Sequence, residues 1–282
     1  MSIDLHLHTT ASDGTDSPAT LVKRAHGRGI SVISVTDHDT VAGIAEARAA
    51  LLPGMTLVNG VEFSSAVFGE GGFRCHILGY GIDVDSPAIK HAIDEGMKKR
   101  REKLYGRLDY IKTNFGISFP DREIAELEAM NAVSKLHIAK LLINHGHAET
   151  IGDAIDRYMG KKAPDDRIDA ALAIDSIIAA GGVPIYAHPI GGEREERLSE
   201  KELYRRAGIL HGMGVMGLEA YYSRYTAADR APILAVAKSL GMLVSGGSDY
   251  HGENKTVPLG CLDADGGAID EAEITVIGRL LS

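Results

Sequence analysis

The chain begins with residues that could do chemistry: Asp4-Leu5-His6-Leu7-His8, followed closely by Asp13-Gly14. On a strand, side chains alternate faces, so His6 and His8 share one face while Leu5 and Leu7 share the other, buried one. Two adjacent imidazoles make a poor core but a good start to a metal site, because neutral imidazole is the commonest metal ligand. An exposed edge strand could carry the same pair without function, so the pair needs company. Four later segments supply it, each an apolar run ending in His, Asp or Glu. Ile30 to Val35 ends in Thr36-Asp37-His38-Asp39-Thr40, and Met55 to Val61 ends in Glu62. Val183 to Ala187 ends in His188-Pro189, and Met242 to Ser245 ends in Gly246-Gly247-Ser248-Asp249-Tyr250-His251. The stretch Ile77 to Tyr80 instead begins just after His76. Parallel α/β proteins place their chemistry at the carboxyl ends of strands, which is where these groups fall.

The candidate ligands are therefore His6, His8, Asp13, His38, Glu62, His76, His188, Asp249 and His251. They are too many for one zinc ion, which takes about four ligands in all. They suit two or three ions bridged by Glu62 or Asp249. Mixed imidazole and carboxylate donors fit manganese, iron or zinc alike. With no cysteine among them, an open catalytic site is expected rather than a closed structural zinc.

The elements that must position these groups follow from the hydrophobic pattern. Strands are predicted at Ile3 to His8, Ser31 to Thr36, Thr56 to Glu62, Phe73 to Gly81, Val183 to Ala187, Val215 to Ala220 and Met242 to Ser245. Ser17-Pro18 opens a helix that runs to about Arg28-Gly29, and a second spans Val41 to Leu52, stopped by Pro53-Gly54. From Pro87 to about Gly160 the pattern is helical, with Leu104, Leu108, Ile111 and Phe115 at three and four spacing. Further helices are expected after Phe119-Pro120-Asp121, over Leu136 to Ile143, over Asp175 to Ala180 and over Ala228 to Leu240. About seven mostly parallel strands interrupted by a helical block predict a seven-stranded relative of the (β/α) barrel. The barrel would comprise residues 1–86 and 165–282, and the insertion 87–164. An open doubly wound sheet is the alternative. The first strand ends in histidines where a dinucleotide fold would carry Gly-x-Gly-x-x-Gly.

Composition sets the remaining bounds. The 282 residues carry a net charge of −9, which does not favour a protein that coats nucleic acid but leaves a nucleotide substrate open. No apolar run is long enough to span a membrane, and no export signal is visible, so a cytoplasmic location is expected. Cys75 and Cys261 suggest no disulfide framework, which fits a reducing compartment. No obligate protein partner is expected. The basic run Lys98-Lys99-Arg100-Arg101 reads as a solvated helix face rather than an RNA contact.

Five motifs in order resemble the PHP family, named for polymerase and histidinol phosphatase: Asp4 to Gly14, Thr36-Asp37-His38-Asp39-Thr40, Gly60-Val61-Glu62, Ala187-His188-Pro189 and Gly247-Ser248-Asp249-Tyr250-His251. The resemblance implies a distorted seven-stranded barrel with three divalent ions (Mn, Fe or Zn). One ion would take His6, His8, Glu62 and Asp249; a second Asp13, His38 and His188; a third Glu62, His76 and His251. The helical block further resembles a bacterial branch that removes phosphate from nucleoside 3′,5′-bisphosphates and trims short RNA from its 5′ end. That branch typically has Arg-Pro-His where this chain has Lys135-Leu136-His137, keeping the charge but losing the arginine fork.

The implied reaction is hydrolysis of the 3′-phosphate of a nucleoside 3′,5′-bisphosphate by a metal-bridging hydroxide, with short RNA as a further substrate. His188, Asp249, His251 and Asp37 are the candidate catalytic groups, and Asp37 could equally orient a ligand. A second phosphate needs cations, and the candidates are Lys135, Arg194, Arg197 and Arg224, with Ser134, His137 and Tyr222 beside them. The insertion would fold over the barrel mouth as a lid. The alternatives are a phosphatase of histidinol-phosphate type and a metal- or nucleotide-binding domain without turnover.

Overall fold

The computed structural model describes residues 2–130, 132–160, 163, 165–192, 196–267 and 269–281. β-branched runs become strands, and capped amphipathic runs connect them. Strand β1 (Ser2–Leu7) is followed by α1 (Pro18–Gly27), whose N-terminus is capped by the Ser17 hydroxyl accepting from Thr20 N–H. Leu21, Val22 and Ala25 face inward from α1. Next come β2 (Ile30–Val35), α2 (Ile44–Ala49), β3 (Thr56–Val67) and β4 (Phe73–Tyr80). The helical block holds α3 (Pro87–Phe115), α4 (Asp121–Glu128), α5 (Lys135–Asn144) and α6 (Ile151–Tyr158). The remainder is β5 (Ile168–Asp169), α7 (Ala170–Ala179), β6 (Val183–Tyr186), α8 (Glu200–Gly212), β7 (Gly217–Tyr222), α9 (Ala227–Leu240) and β8 (Leu243–Gly247). No described helix is long and apolar enough to cross a membrane.

The sheet runs β1-β2-β3-β4-β6-β7-β8, with β5 attached to β3. Its ends meet. Leu7 bridges Tyr250, His8 N–H donates to Tyr250 O at 3.0 Å, and Asp249 N–H donates to His6 O at 2.9 Å. The barrel-like α/β fold expected from the sequence is therefore present, with seven strands on the ring and β5 as an eighth beside β3. All ladders are parallel except those of β4, which is antiparallel to both β3 and β6. That reversal explains an oddity of the sequence: His76 precedes its apolar run because the early part of β4 lies at the end of the barrel where the other strands finish.

Leu5, Phe63, Ile77, Ile185 and Leu218 belong to the main core. Leu7, Leu21, Ile33 and Ile44 pack into a second cluster under α1 and α2. The helical block has its own core of Leu104, Ile111, Phe119, Ile138, Leu142 and Tyr158, among others.

Several elements differ from the expectation: β5 has no counterpart, α7 starts at Ala170 rather than Asp175, and α2 is confined to Ile44–Ala49. Strand β3 continues past Glu62 to Val67, because residues beyond the ligand pair with β4 and with the short β5. Strand β7 begins and ends two residues later than expected, in register with Ile185 of β6 and Leu243 of β8. Helix α8 has no counterpart in the predicted elements. In the basic run, Lys98 and Arg101 are exposed, but Arg100 is buried, so this face of α3 is not simply solvated.

Candidate metal centre

The expected ligands converge at one end of the barrel. Donor atoms lie within 4.8 Å of one another in three overlapping groups: His6, His8 and Asp249; His8, Asp13, His38 and His251; and His38, Glu62 and His76. Glu62 is the hub. Its Oε2 lies 3.2 Å from His6 Nε2, 3.2 Å from His8 Nε2 and 3.0 Å from His38 Nδ1. Its Oε1 lies 2.8 Å from His76 Nδ1 and 3.3 Å from His188 Nε2. Asp249 Oδ1 lies 3.6 Å and 3.3 Å from the Nε2 atoms of His6 and His8.

The geometry exchanges two residues in the partition implied by resemblance. His251, not His188, stands beside Asp13, with its Nε2 3.3 Å from Oδ1. His188 instead joins Glu62 and His76, with the two imidazole rings 5.0 Å apart. The cause is strand order: β6 neighbours β4, whereas the turn after β8 lies against β1.

This donor set fits divalent metal ions. His6 Nε2, both ring nitrogens of His8, His38 Nδ1, Asp13 Oδ1 and Glu62 Oε2 are buried with no hydrogen-bond partner. Such atoms are costly to bury unless a cation or proton joins them. Burial opposes charge on the carboxylates, yet the surrounding imidazoles, with Lys255 beside Asp249, hold Glu62, Asp13 and Asp249 well below the usual carboxylate range. Burial pulls His38, His76 and His251 down, toward the neutral form that ligates. The backbone is also strained here. The non-glycine residues with positive φ among those described are Asp39 at 51°, His188 at 30° and Asp249 at 57°.

Supporting groups fix the ligands. Glu219, at the middle of β7 and fully buried, is the functional residue that the sequence reading missed. Its Oε1 lies 2.8 Å from His6 Nδ1, and its Oε2 accepts from His188 N–H at 2.7 Å. It therefore turns His6 Nε2 toward the cluster and pins the strained His188. Asp37 takes the orienting role: it accepts from Thr9 N–H and Thr9 Oγ1 at 2.7 Å and from Ser12 Oγ at 2.5 Å. It anchors the loop between His8 and Asp13, away from the reacting space. Tyr222 is buried, and its hydroxyl donates to Asp249 Oδ2 at 2.9 Å. It supports a ligand where a substrate contact was expected. Asp4 accepts from Ser248 N–H and Gly260 N–H, both at 2.8 Å, stitching β1 to the turn after β8. Gly247 is required beside it, because a Cβ there would collide with His6.

Two cavities open onto the centre and share His76 and His188. The larger, about 570 Å³, is walled by Leu136, Ile151 and Ile155 of the helical block. The smaller, about 310 Å³, is lined by Arg74, Arg167 and Arg206. Behind it a cation cluster surrounds Asp165, with Arg107 at 2.9 Å, Arg167 at 3.1 Å, Arg74 at 3.2 Å and Lys103 at 3.9 Å. Lys135 is close enough for the charges of Arg107, Asp165 and Arg167 to act on it, and burial pulls its pKa down. Ser134 and His137 form the capping box of α5, with Ser134 N–H donating to His137 Nδ1 at 3.0 Å. Arg197 is engaged with the carbonyls of Gly191 and Arg224. Arg224 is half-buried and is not among the described residues lining either cavity. Arg194 lies outside the described residues.

Comparison with known proteins agrees with this fold. The PHP domain model matches residues 4–163. A 5′-3′ exoribonuclease of Haemophilus influenzae is 34% identical over 88% of this chain and 89% of its own. A 3′,5′-nucleoside bisphosphate phosphatase of Chromobacterium violaceum is 30% identical over 89% and 87%. A phosphoribosyl 1,2-cyclic phosphate 1,2-diphosphodiesterase of Eggerthella lenta is 28% identical over 90% and 96%. A solved structure from Bifidobacterium adolescentis, titled as a metal-dependent phosphoesterase by prediction, superposes with a TM-score of 0.79 at 29% identity, covering 98% of both chains. With convergent ligands on a closed barrel and a family model spanning more than half of its length, the chain belongs to the PHP domain family and is a hydrolase of phosphoric esters.

Proposed function

We propose that the protein removes the 3′-phosphate from nucleoside 3′,5′-bisphosphates, with short RNA 5′ ends as a further substrate, using three divalent ions. One observation carries the choice of a doubly phosphorylated substrate: around the single carboxylate of Asp165 stand three guanidinium groups, Arg107, Arg167 and Arg74, with Arg107 buried and Arg167 partly so, beside the ligand cluster. Desolvated like charges favour a bound anion, and arginine forks match phosphate. Names of the relatives point the same way, since a nucleoside bisphosphate and a phosphoribosyl cyclic phosphate each carry phosphoryl groups at two places.

His6, His8, Glu62 and Asp249 would hold one ion, Asp13, His38 and His251 a second, and Glu62, His76 and His188 a third. Bound there, such ions supply Lewis-acid charge and activate water. The chain's own residues do the rest. Glu219 keeps His6 aimed, and Asp37 holds the loop between His8 and Asp13 in place. Arg74, Arg167 and Lys135 hold the second phosphate and fix the distance between the two phosphoryl groups. The capping box of Ser134 and His137 sets the first turn of α5, from which Lys135 projects. Leu136, Ile151 and Ile155 form an apolar wall for a nucleoside, so residues 87–164 act as a substrate lid over the barrel.

The test is phosphate release from adenosine 3′,5′-bisphosphate, with adenosine monophosphates and histidinol phosphate in parallel, using manganese- or zinc-reconstituted enzyme. The bisphosphate should lose one phosphate, and the monophosphates should show roughly 10- to 100-fold lower kcat/KM for want of the second phosphate contact. Histidinol phosphate is the informative competitor, because Glu253 at the rim of the larger cavity could meet an amine. Preference for it would replace the nucleotide reading.

A further inference from the structure

We propose that Lys255 is a phosphate-binding residue of the metal centre, contacting the phosphoryl group that is hydrolysed. Among the described residues lining the larger cavity, Lys255 is the one lysine, and there is no arginine. Its Nζ lies 2.7 Å from Asp249 Oδ2, while Asp249 Oδ1 faces His6 and His8. The ammonium is thus one carboxyl group away from the donor cluster. Asp249 Oδ2 already accepts from Tyr222, so the aspartate does not depend on Lys255 for its orientation. An ammonium has three N–H donors and Asp249 occupies one.

The segment bearing Lys255 is built to hold a position. Thr15 N–H donates to His251 O at 3.2 Å, Glu253 N–H donates to Thr15 Oγ1 at 2.9 Å, and Asn254 Nδ2 donates to Asp13 O at 2.6 Å. Gly252, with φ of 65°, packs so closely on Thr15 that a Cβ would collide with it. The turn is therefore fastened to the loop that carries Asp13, and its lysine lines the larger cavity together with Asp13 and Asp249. Phosphoryl transfer asks mainly for positioning and neutralisation of oxygen charge. Arg74 and Arg167, two of the cations around Asp165, line the other cavity, so they can hold a second phosphate while Lys255 attends to the reacting one.

The inference rests on the phosphoesterase reading of this site, and the experiment separates the two. Manganese-loaded wild-type, K255M and K255R proteins are compared for metal content by mass spectrometry, for inorganic phosphate affinity by calorimetry and for kcat/KM on adenosine 3′,5′-bisphosphate. K255M should keep the wild-type metal content, bind phosphate about 10- to 100-fold more weakly and lose at least as much in kcat/KM, with K255R recovering part of both. If K255M is insoluble, K255R and K255Q carry the same comparison. Unchanged phosphate affinity overturns the proposal, and so does a weakening abolished by saturating metal, which would make Lys255 a partner of Asp249 alone. Wild-type protein that shows Lys255-dependent phosphate binding but no turnover of the bisphosphate would instead overturn the substrate reading.

Discussion

A single carboxylate, Glu219, joins two ligands that come from different strands. It contacts His6 through one oxygen and the His188 backbone through the other. Replacing it by Gln keeps the volume but leaves an amide nitrogen facing one of two donors. E219Q should lower metal affinity about 10- to 100-fold, read as metal retained after dialysis against a competing chelator. Proton release offers a second check at this scale. Burial alone would lower His6 and His8, but the carboxylates around them raise both, His8 to about 9. Imidazole must be neutral to ligate, so metal uptake should release protons and affinity should fall as pH drops. Calorimetry in buffers of different ionisation heat measures that release; equal heats in all buffers would contradict it. The residues that converge at the barrel end were legible in the sequence because His, Asp and Glu at the ends of apolar runs have little other use there. Glu219 was not, although a carboxylate inside Gly217–Tyr222, a strand buried along its whole length, signals a buried partner. The exchange of His188 and His251 could not be read at all, because it depends on which strand ends are neighbours.

Helix α3 shows why a charge pattern misleads when its partners are distant in sequence. At 29 residues it is about 43 Å long. Arg100, Lys103 and Arg107 recur at three and four spacing and are all buried. Their counter-charges, Asp39 and Asp165, come from the turn after β2 and from just before β5, so nothing local marks this face as interior. Arg100 donates to Asp39 Oδ2 at 2.6 Å and to Ser64 Oγ at 3.1 Å, clamping the helix onto the loop that carries His38. Lys103 carries a testable consequence. Burial, with Arg100 nearby, lowers its pKa from 10.5 to about 7. Between those values the unfolded chain binds more protons than the fold, so Lys103 makes stability rise with pH, by at most about 1.4 kcal/mol per unit. K103M should remove that part of the slope in urea titrations run between about pH 7 and 9. An identical slope in both proteins would show that Lys103 stays charged in the fold, held by Asp165.

Across the whole molecule, the metal centre and the sheet closure are one structure. The seven strands were legible from periodicity, but closure was not, since it relies on Leu7 meeting Tyr250 and Asp249 meeting His6 from opposite ends of the chain. The candidate ligands derive from β1, β3, β4 and the turns after β1, β2, β6 and β8, so bound ions would tie the seam between β1 and β8 to strands elsewhere in the ring. Among the described residues, the helical block keeps a separate core and sends no ligand to the cluster. Ions that bind the folded state at about 100 times their dissociation constant add about 2.7 kcal/mol, a Tm increase of roughly 5 to 10 °C for a domain of this size. Chelation should reverse that gain and act unevenly. Hydrogen exchange should quicken at the seam amides of His8 and Asp249 and at Glu62, while Ile138, Leu141 and Leu142 in α5 keep their protection. Uniform loss through both regions would mean that barrel and insertion open as one unit, and a lid moving over a fixed metal centre would then be the wrong picture.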